Sequence, residues 1–428
     1  MKILVIGSGA REHALVWKIS QSPLTSELFC APGNPGIASL AECVPLRATD
    51  LDGLLRFARD RRIDLTVVGP EQPLAEGIVD LFTREQLTIF GPTRAAAELE
   101  WSKVFAKRFM ARHGIPTADC RIFDGTQLDE VRKYLETAPV PIVLKADGLA
   151  AGKGVSVCRT REEAFSALNQ MAVEKAFGSA GARIVIEECM SGEEASVFAL
   201  LDGQHYILLA PAQDHKRVFD NDQGKNTGGM GAYAPASCVT PDILRDVEAR
   251  VIVPTIAGMI AEGRPYQGCL YVGLMLTGAG PKVVEYNCRF GDPETQVILP
   301  LFDGDIVAAL YASATGGLSG HTEVKAAPGA SAVCVVLASG GYPDTYETGK
   351  KIRGLEELDA MPDVLAFHAG TKFDGGSVVT AGGRVLGITA VCMSGGLRDT
   401  IATAYRAIEK VHFDGMHFRR DIGRKGLT

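Results

Sequence analysis

Three side chains at alternate positions could do chemistry together. Glu285, Asn287 and Arg289 place a carboxylate, an amide oxygen and a guanidinium along V-V-E-Y-N-C-R-F-G-D-P-E, Val283 to Glu294. In a strand alternate side chains share a face. Val283, Glu285, Asn287 and Arg289 are therefore expected on one side, about 7 Å apart at each step. Val284, Tyr286, Cys288 and Phe290 are expected on the other side, in a core. Hard divalent cations take carboxylate and amide oxygens, with water and substrate phosphates completing the shell. A guanidinium grips phosphate or carboxylate with two prongs. The expectation is a metal and phosphate site on a rigid strand; the plainer reading is an edge strand with a solvated face. Asp292 and Glu294 follow Gly291 and fall off the strand's register, so they are expected to build the turn and border the substrate.

A second set is Lys145-Ala146-Asp147-Gly148-Leu149-Ala150-Ala151-Gly152-Lys153-Gly154. It is not a Walker A loop, which needs four residues between its glycines, then Lys-Ser/Thr and a helix. Here Lys153 is followed by Gly154 and then by strand-like Val155–Cys158. The stretch reads as a hairpin flap whose backbone N–H groups can fold over phosphates and whose glycines let it open. Beyond it, I-V-I-E-E ends in Glu187 and Glu188, and Glu193 and Glu194 follow a glycine turn. Near the start, Gly7-Ser8-Gly9-Ala10-Arg11-Glu12 has the G-x-G of a dinucleotide loop but Glu12 at the third glycine. The next strand ends in Cys30-Ala31 rather than in an acid for a ribose. Both argue against a nicotinamide cofactor. A phosphate of another ligand could still rest on that helix N-terminus.

These residues need elements to hold them. Residues 1 to about 100 alternate strands (Ile3–Ile6, Glu27–Ala31, Leu65–Val68, Thr88–Phe90) with helices (Glu12–Gln21, Asp50–Arg61, Ala75–Arg84). That alternation predicts a doubly wound parallel sheet, with ligands at the edge carrying the Gly and Pro loops. A helix over Ala95–Gly114 carries Lys103 and Lys107. A second α/β pattern follows, including a long helix over Pro241–Glu262, and a third, β-rich pattern begins near 324. The net charge of −7 leaves no basic excess for nucleic acid. No apolar run reaches the ~20 residues of a membrane span. K-I-L-V-I-G already reads as a strand, so no targeting segment is expected before it. The ten cysteines lack C-x-x-C spacing and read as reduced thiols of a cytoplasmic protein.

The ordered strings V-I-G-S-G-A-R-E-H-A-L, A-P-G-N-P-G, V-G-P-E, K-A-D-G-L-A-A-G-K-G, Q-D-H-K-R, N-T-G-G-M-G-A-Y and E-Y-N-C-R-F-G-D-P-E-T-Q run over residues 1 to about 300. H-A-G-T-K at 368–372 extends them. Together they resemble the ATP-grasp superfamily and, more narrowly, the phosphoribosylamine–glycine ligase (glycinamide ribonucleotide synthetase) family of purine synthesis. Trp101 stands where that family has a small glycine before Ser102-Lys103, and Lys225 where it has a proline. The resemblance implies an α/β and α+β multidomain ATP-grasp protein. A doubly wound N-terminal domain would span residues 1–102, an ATP-grasp domain 103–325 with its flap at about 122–190, and a small β-rich C-terminal domain 326–428. It implies a ligase joining glycine to 5-phosphoribosylamine with ATP and Mg²⁺ or Mn²⁺, through glycyl phosphate. The enzyme would be a monomer or weak dimer, with no nucleic-acid or membrane partner. The alternatives are another ATP-grasp carboxylate–amine ligase of purine synthesis or a non-catalytic nucleotide-binding module.

The implied roles are specific. Glu285 and Asn287 would hold the metal. Lys103, Lys145, Gly148, Gly152, Lys153 and Gly154 would hold or cover the ATP phosphates, and Glu187, Glu188 and Glu194 would bracket adenine and ribose. Arg289 and Asp214 would act on glycine, with Lys145 the third catalytic group. Gly9, Arg11, Asn34 and Glu71 would take phosphoribosylamine. His13, His215 and His368 read as structural or rim groups rather than bases.

Overall fold

The computed structural model describes residues 1–149, 154–173, 183–318 and 326–427. Its first segment is β1 (Lys2–Gly7), α1 (Ala10–Ser20), β2 (Glu27–Pro32), β3 (Glu42–Cys43), α2 (Leu51–Arg61), β4 (Leu65–Val68), α3 (Glu71–Glu76), α4 (Ile78–Arg84) and β5 (Ile89–Phe90). The strands form a parallel sheet in the order β3-β2-β1-β4-β5. Leu4 and Ile6 enter one apolar cluster and Ile3 and Val5 another, so both faces are covered. That explains the unbroken apolar run. The chain winds outward both ways from β1, which places a crevice at the C-terminal ends of β1 and β4.

Glu12 explains why the first loop is no dinucleotide cradle. Its carboxylate accepts the Gly9 N–H at 2.6 Å and lies against Gly7 and Gly69, where a Cβ would come within 2.4 Å and 2.2 Å of it. The protein's own carboxylate thus caps the N-terminus of α1.

The helix expected over Ala95–Gly114 is two, α5 (Glu98–Trp101) and α6 (Lys103–Arg112). Ser102 breaks it by going extended and capping α6, its hydroxyl accepting the Phe105 N–H at 3.1 Å. Next come β6 (Cys120–Asp124), α7 (Leu128–Thr137), β7 (Ile142–Ala146), β8 (Val155–Cys158), α8 (Arg161–Val173) and β9 (Arg183–Glu188). Their antiparallel sheet, β6-β9-β7-β8, has an apolar core of its own that includes Phe123, Leu135, Leu144 and Ile186.

The chain continues through β10 (Glu193–Asp202), β11 (Tyr206–Leu208), β12 (Gln213–Asp214), β13 (Arg217–Phe219), β14 (Gln223–Asn226) and β15 (Gly231–Ala234). Helices α9 (Pro241–Val247) and α10 (Val253–Ala261) lead to β16 (Gln267–Thr277) and β17 (Gly280–Asn287). The expected single helix over Pro241–Glu262 is continuous but widens to a π turn over Glu248–Ile252. Pro254 follows that turn and can neither donate to the Arg250 carbonyl nor avoid it in a regular helix. A second antiparallel sheet has the order β11-β10-β16-β17.

The remaining elements are α11 (Thr295–Ile298), α12 (Ile306–Thr315), β18 (Ser331–Ala338), α13 (Leu355–Leu358), β19 (Val364–His368), β20 (Thr371–Asp374), β21 (Ser377–Thr380), β22 (Arg384–Cys392) and α14 (Leu397–Ile408). The C-terminal sheet has the order β12-β15-β18-β22-β19, so it draws two strands from the middle of the chain. β15 pairs with β18 from Gly231 opposite Val335 to Ala234 opposite Ala332. Among the described residues no helix is long and apolar enough to cross a membrane.

One expectation for β17 is corrected. The pairing slips between Gly273, opposite Glu285, and Leu274, opposite Val283, which leaves Val284 as an extra, bulged residue. Val283 is wholly buried and Val284 lines the cleft beside Glu285. Strict alternation had placed these two valines the other way round.

Candidate active site

The cleft lies where the sheet of β7 and β9 faces β17. Lys145, at the end of β7, is almost fully buried, with Nζ 2.8 Å from Glu187 Oε2 and donating to the Val284 carbonyl at 3.1 Å. Lys107 on α6 approaches the other Glu187 oxygen at 3.2 Å and donates to Thr117 Oγ1 at 2.8 Å. Glu187 is thus the buried counter-ion of two lysines. Its carboxylate turns inward to charge partners from other elements. Glu188 lies at the open end of the strand, paired with Lys282 at 3.0 Å.

Lys103, the first residue of α6, donates to the Gly148 carbonyl at 3.0 Å and so reaches the base of the flap. Desolvation pulls its ammonium below the ordinary pKa; Glu285 opposes this and Lys145 adds to it. Asp147 latches the flap base to α6, accepting from Ser102 Oγ at 3.2 Å and the Val104 N–H at 3.1 Å, with Arg183 at 2.6 Å. Gly154 accepts the Ala146 N–H at 2.8 Å and closes the hairpin base. The phosphate roles expected for Gly152 and Lys153 fall outside the described residues.

Deeper in the cleft, Glu194, Asp214, Lys216, Tyr271, Leu274, Val284 and Glu285 line one pocket. Lys216 pairs with Asp214 at 2.8 Å. Burial alone would depress the Lys216 ammonium, but Asp214, helped by Tyr271, Glu194 and Glu285, holds it well above its ordinary value. Glu294 is buried behind them and accepts from Ser196 Oγ at 3.2 Å. Burial and then the Asp214 charge push its carboxyl up to about 7. Among the described residues the Glu285 carboxylate makes neither ion pair nor hydrogen bond. Asn287 Oδ1 accepts from Arg289 at 3.0 Å. Two hard oxygen donors side by side fit a divalent cation that keeps waters and shares phosphate oxygens. No cluster of three or more His, Cys, Asp or Glu that could cage a metal occurs among the described residues.

Arg289 connects this cleft to the N-terminal crevice. Its guanidinium meets Glu100 at 3.1 Å and Glu71 at 3.5 Å. Arg11 donates to the Phe290 carbonyl at 3.2 Å and lies 4.0 Å from Glu71. Arg11, Glu71 and Arg289 therefore meet at one junction. Gly9 is at its edge, where a Cβ would stand 3.7 Å from Asp292 Oδ2. Asn34 is different. Its amide donates to the Ser8 and His368 carbonyls at 2.8 Å each and accepts the Ile37 N–H at 3.0 Å, so it ties the first loop to the C-terminal domain.

Sequence reasoning missed several participants. Glu100 is buried beneath Arg289 and accepts the Cys288 N–H at 2.6 Å. An acid two residues ahead of the Ser102 helix cap was its only signal. Lys107 and Lys216 gave no signal beyond charge in segments that already carried site residues. Arg384, from β22, donates to the Gly228 carbonyl at 2.7 Å and the Asp292 carbonyl at 2.8 Å, joining two site loops. His13 and His368 are bonded within the seam between the first and last domains. His13 accepts the His368 N–H at 2.8 Å and is held neutral by burial, its pKa lowered to about 3. Trp101 packs on the core and donates to the Arg94 carbonyl at 3.4 Å. Lys225 pairs with Asp344 at 2.7 Å on the surface.

Family models match nearly the whole chain: the N domain of phosphoribosylglycinamide synthetase over residues 1–100, its ATP-grasp (A) domain over 101–295 and its C domain over 332–425. The chain is 52% identical to a phosphoribosylamine–glycine ligase of Chlorobaculum tepidum, covering 100% of both chains. It is 49% identical to one of Escherichia coli O6:H1, over 100% of this chain and 99% of that one. Among solved structures, phosphoribosylamine–glycine ligase of Thermotoga maritima superposes with a TM-score of 0.85 at 34% identity, covering 98% of this chain and 100% of that one. The biotin carboxylase domain of Hydrogenobacter thermophilus 2-oxoglutarate carboxylase shares the fold, with a TM-score of 0.71 at 18% identity over 97% and 91% of the two chains.

Proposed function

The chain belongs to the phosphoribosylglycinamide synthetase family, and we propose that it joins glycine to 5-phosphoribosylamine in two steps driven by ATP. In the first step a glycine carboxylate oxygen attacks the γ-phosphorus, the bond to the bridging oxygen breaks, and ADP leaves. In the second the amine attacks the acyl carbon of glycyl phosphate. Phosphate departs with the bonding pair, the nitrogen loses a proton, and the amide of glycinamide ribonucleotide remains.

The protein's part is positioning and charge neutralisation, which phosphoryl transfer needs more than covalent help. Lys145 and Lys103 hold phosphate oxygens. Glu285 and Asn287 hold Mg²⁺ or Mn²⁺. The bound cation supplies Lewis-acid neutralisation of the developing phosphate charge. Arg289, freed from Asn287, takes the glycine carboxylate and the transferred phosphoryl group, while Glu100 keeps its far side fixed. Asp214, with Lys216 as its counter-ion, receives the glycine ammonium. Arg11, Glu71 and the Gly9 loop present phosphoribosylamine across the junction at Arg289. Glu194 is left for the ribose. The enzyme acts in the cytoplasm as a monomer or weak dimer, on small molecules rather than on nucleic acid or membrane.

The observation that carries this reading is the Glu285 carboxylate, unpaired among the described residues, beside Asn287 and facing Lys103 and Lys216. ADP release measured with each substrate omitted in turn tests it. Release should require glycine, and full turnover should require glycine and phosphoribosylamine together. Turnover with phosphoribosylamine but without glycine would overturn the assignment.

A further inference from the structure

The residues that receive glycine in the proposal above, Asp214 and Lys216, lie on one arm of a long hairpin. Asp214 pairs with Ala232 on the other arm, the His215 N–H donates to the Gly231 carbonyl at 2.9 Å, and the Thr227 N–H donates to the Lys216 carbonyl at 2.7 Å. The tip, β13 and β14, buries only one apolar side chain of its own, Val218. Its turn is strained: Asn221 and Asp222 hold φ of 57° and 53°. Non-glycine residues persist in that region when their surroundings over-determine them.

The surroundings here are the last residues of the chain. Arg419 is wholly buried. It donates to the Arg217 carbonyl at 3.1 Å, to Asp222 Oδ1 at 2.9 Å, and to both oxygens of Asp421 at 2.8 Å and 2.7 Å. Asp421 Oδ2 accepts the Asn221 N–H at 2.8 Å, and Asp220 Oδ1 accepts the Arg420 N–H at 2.7 Å. The clasp is anchored behind, because the Tyr405 hydroxyl donates to the Arg419 carbonyl at 2.9 Å. A buried guanidinium with partners on two separate segments fixes those segments against each other more narrowly than apolar contact would.

We infer that Arg419 is a positioning residue for the glycine end of the site, clasping the 217–226 hairpin so that Asp214 and Lys216 are held in the cleft. The inference rests on the reading that Asp214 receives glycine. The ATP phosphates are held from α6, β7 and β17, which the clasp does not touch. Loosening it should therefore affect glycine and spare ATP.

The test compares Arg419→Gln, Arg419→Lys, Asp214→Asn and the double variant Arg419→Gln/Asp214→Asn in steady-state kinetics, with thermal melting as a check on folding. Displacement of a binding group from a distance costs rate and affinity steeply, so Arg419→Gln should raise the glycine KM at least about tenfold. The ATP KM should stay within about twofold, Arg419→Lys should recover part of the loss, and the double variant should be little worse than Asp214→Asn alone. If Asp214→Asn leaves the glycine KM unchanged, the placement of glycine is wrong whatever Arg419 does. If Asp214→Asn raises it while Arg419→Gln does not, or Arg419→Gln raises both KM values equally, the positioning role is wrong. Should Arg419→Gln fail to fold, Asp222→Asn removes one arm of the clasp from a half-exposed side chain and must show the same split between glycine and ATP.

Discussion

Lys145 Nζ lies 3.1 Å from the carbonyl oxygen of Val284, the residue that bulges out of β17. A bulge leaves a backbone carbonyl without its ladder partner. Here a lysine from the facing sheet takes that carbonyl, so the two walls of the cleft are joined beside the Glu285 carboxylate. The bulge therefore does two things. It rotates Glu285 and Asn287 toward the cleft while Val283 stays in the core, and it gives the lysine a fixed second anchor besides Glu187.

Glu187 between Lys107 and Lys145 should be costly to neutralise. Glu187→Gln leaves two buried ammonium groups without their shared anion. Breaking a buried ion pair on one side costs about 3–5 kcal/mol. Chemical denaturation should show a loss of that order, with a raised ATP KM. Exchanging Glu187 and Lys107 together for Met should recover part of the stability, since only Lys145 then remains and it keeps the Val284 carbonyl. A Glu187→Gln protein within about 0.5 kcal/mol of wild type, the range of an ordinary surface change, would show that the triad is not formed.

Glu285→Ala should do the reverse, sparing the fold and removing the chemistry. The carboxylate is half-buried and unpaired among the described residues, so nothing is orphaned when it goes. Its loss from the transition state should cost roughly 2–4 kcal/mol, as for other electrostatic donors. The measurement is kcat at saturating glycine and ATP over a Mg²⁺ titration, with calorimetry to confirm the fold. Turnover within a few-fold of wild type at every Mg²⁺ concentration would remove Glu285 from the metal site.

Much of this architecture was legible before any coordinates, for identifiable reasons. β1, β4, β10 and β16 are apolar runs bounded by Gly and Pro, and their burial is local information. The acidic strand and the N-terminal parallel sheet followed from residue types at fixed spacing. What escaped depends on partners far along the chain. β12 and β15 are short; β15 is a strand because β18 accepts it about 100 residues later, and β12 because β15 accepts it in turn. Period-two reading cannot say which residue of β17 is extra, since the bulge is set by its pairing with β16. The pairing of Glu187 with Lys107 and Lys145 was not legible, because both lysines reach it from other elements.

Asn34→Ala separates a structural from a substrate role. The amide makes three hydrogen bonds in a buried setting, to Ser8, His368 and Ile37. Its loss leaves those backbone groups unpaired at the seam between the first and last domains, at a cost of about 2–3 kcal/mol. Calorimetry should show a clear fall in Tm with kcat preserved at temperatures where the variant stays folded. An unchanged Tm with a raised KM for phosphoribosylamine alone would make Asn34 a binding residue after all.

Glu294 gives stability a pH dependence of defined sign. In the folded protein its carboxyl is pushed up from 4.5 to about 7 by burial and by Asp214. The unfolded chain gives up that proton first as pH rises. Between those two values the folded state binds more protons than the unfolded state, so this group's contribution to stability falls with rising pH and levels off above about 7. Other groups titrate in the same range, and a difference measurement removes them. Glu294→Gln abolishes this one ionisation while keeping an acceptor for Ser196. The urea midpoint of wild type minus that of Glu294→Gln should therefore decline from about pH 5 to pH 7 and run flat from about pH 8 upward. A difference independent of pH across that range would mean that the Glu294 carboxyl ionises in the folded protein as it does in water, and that Asp214 does not crowd it.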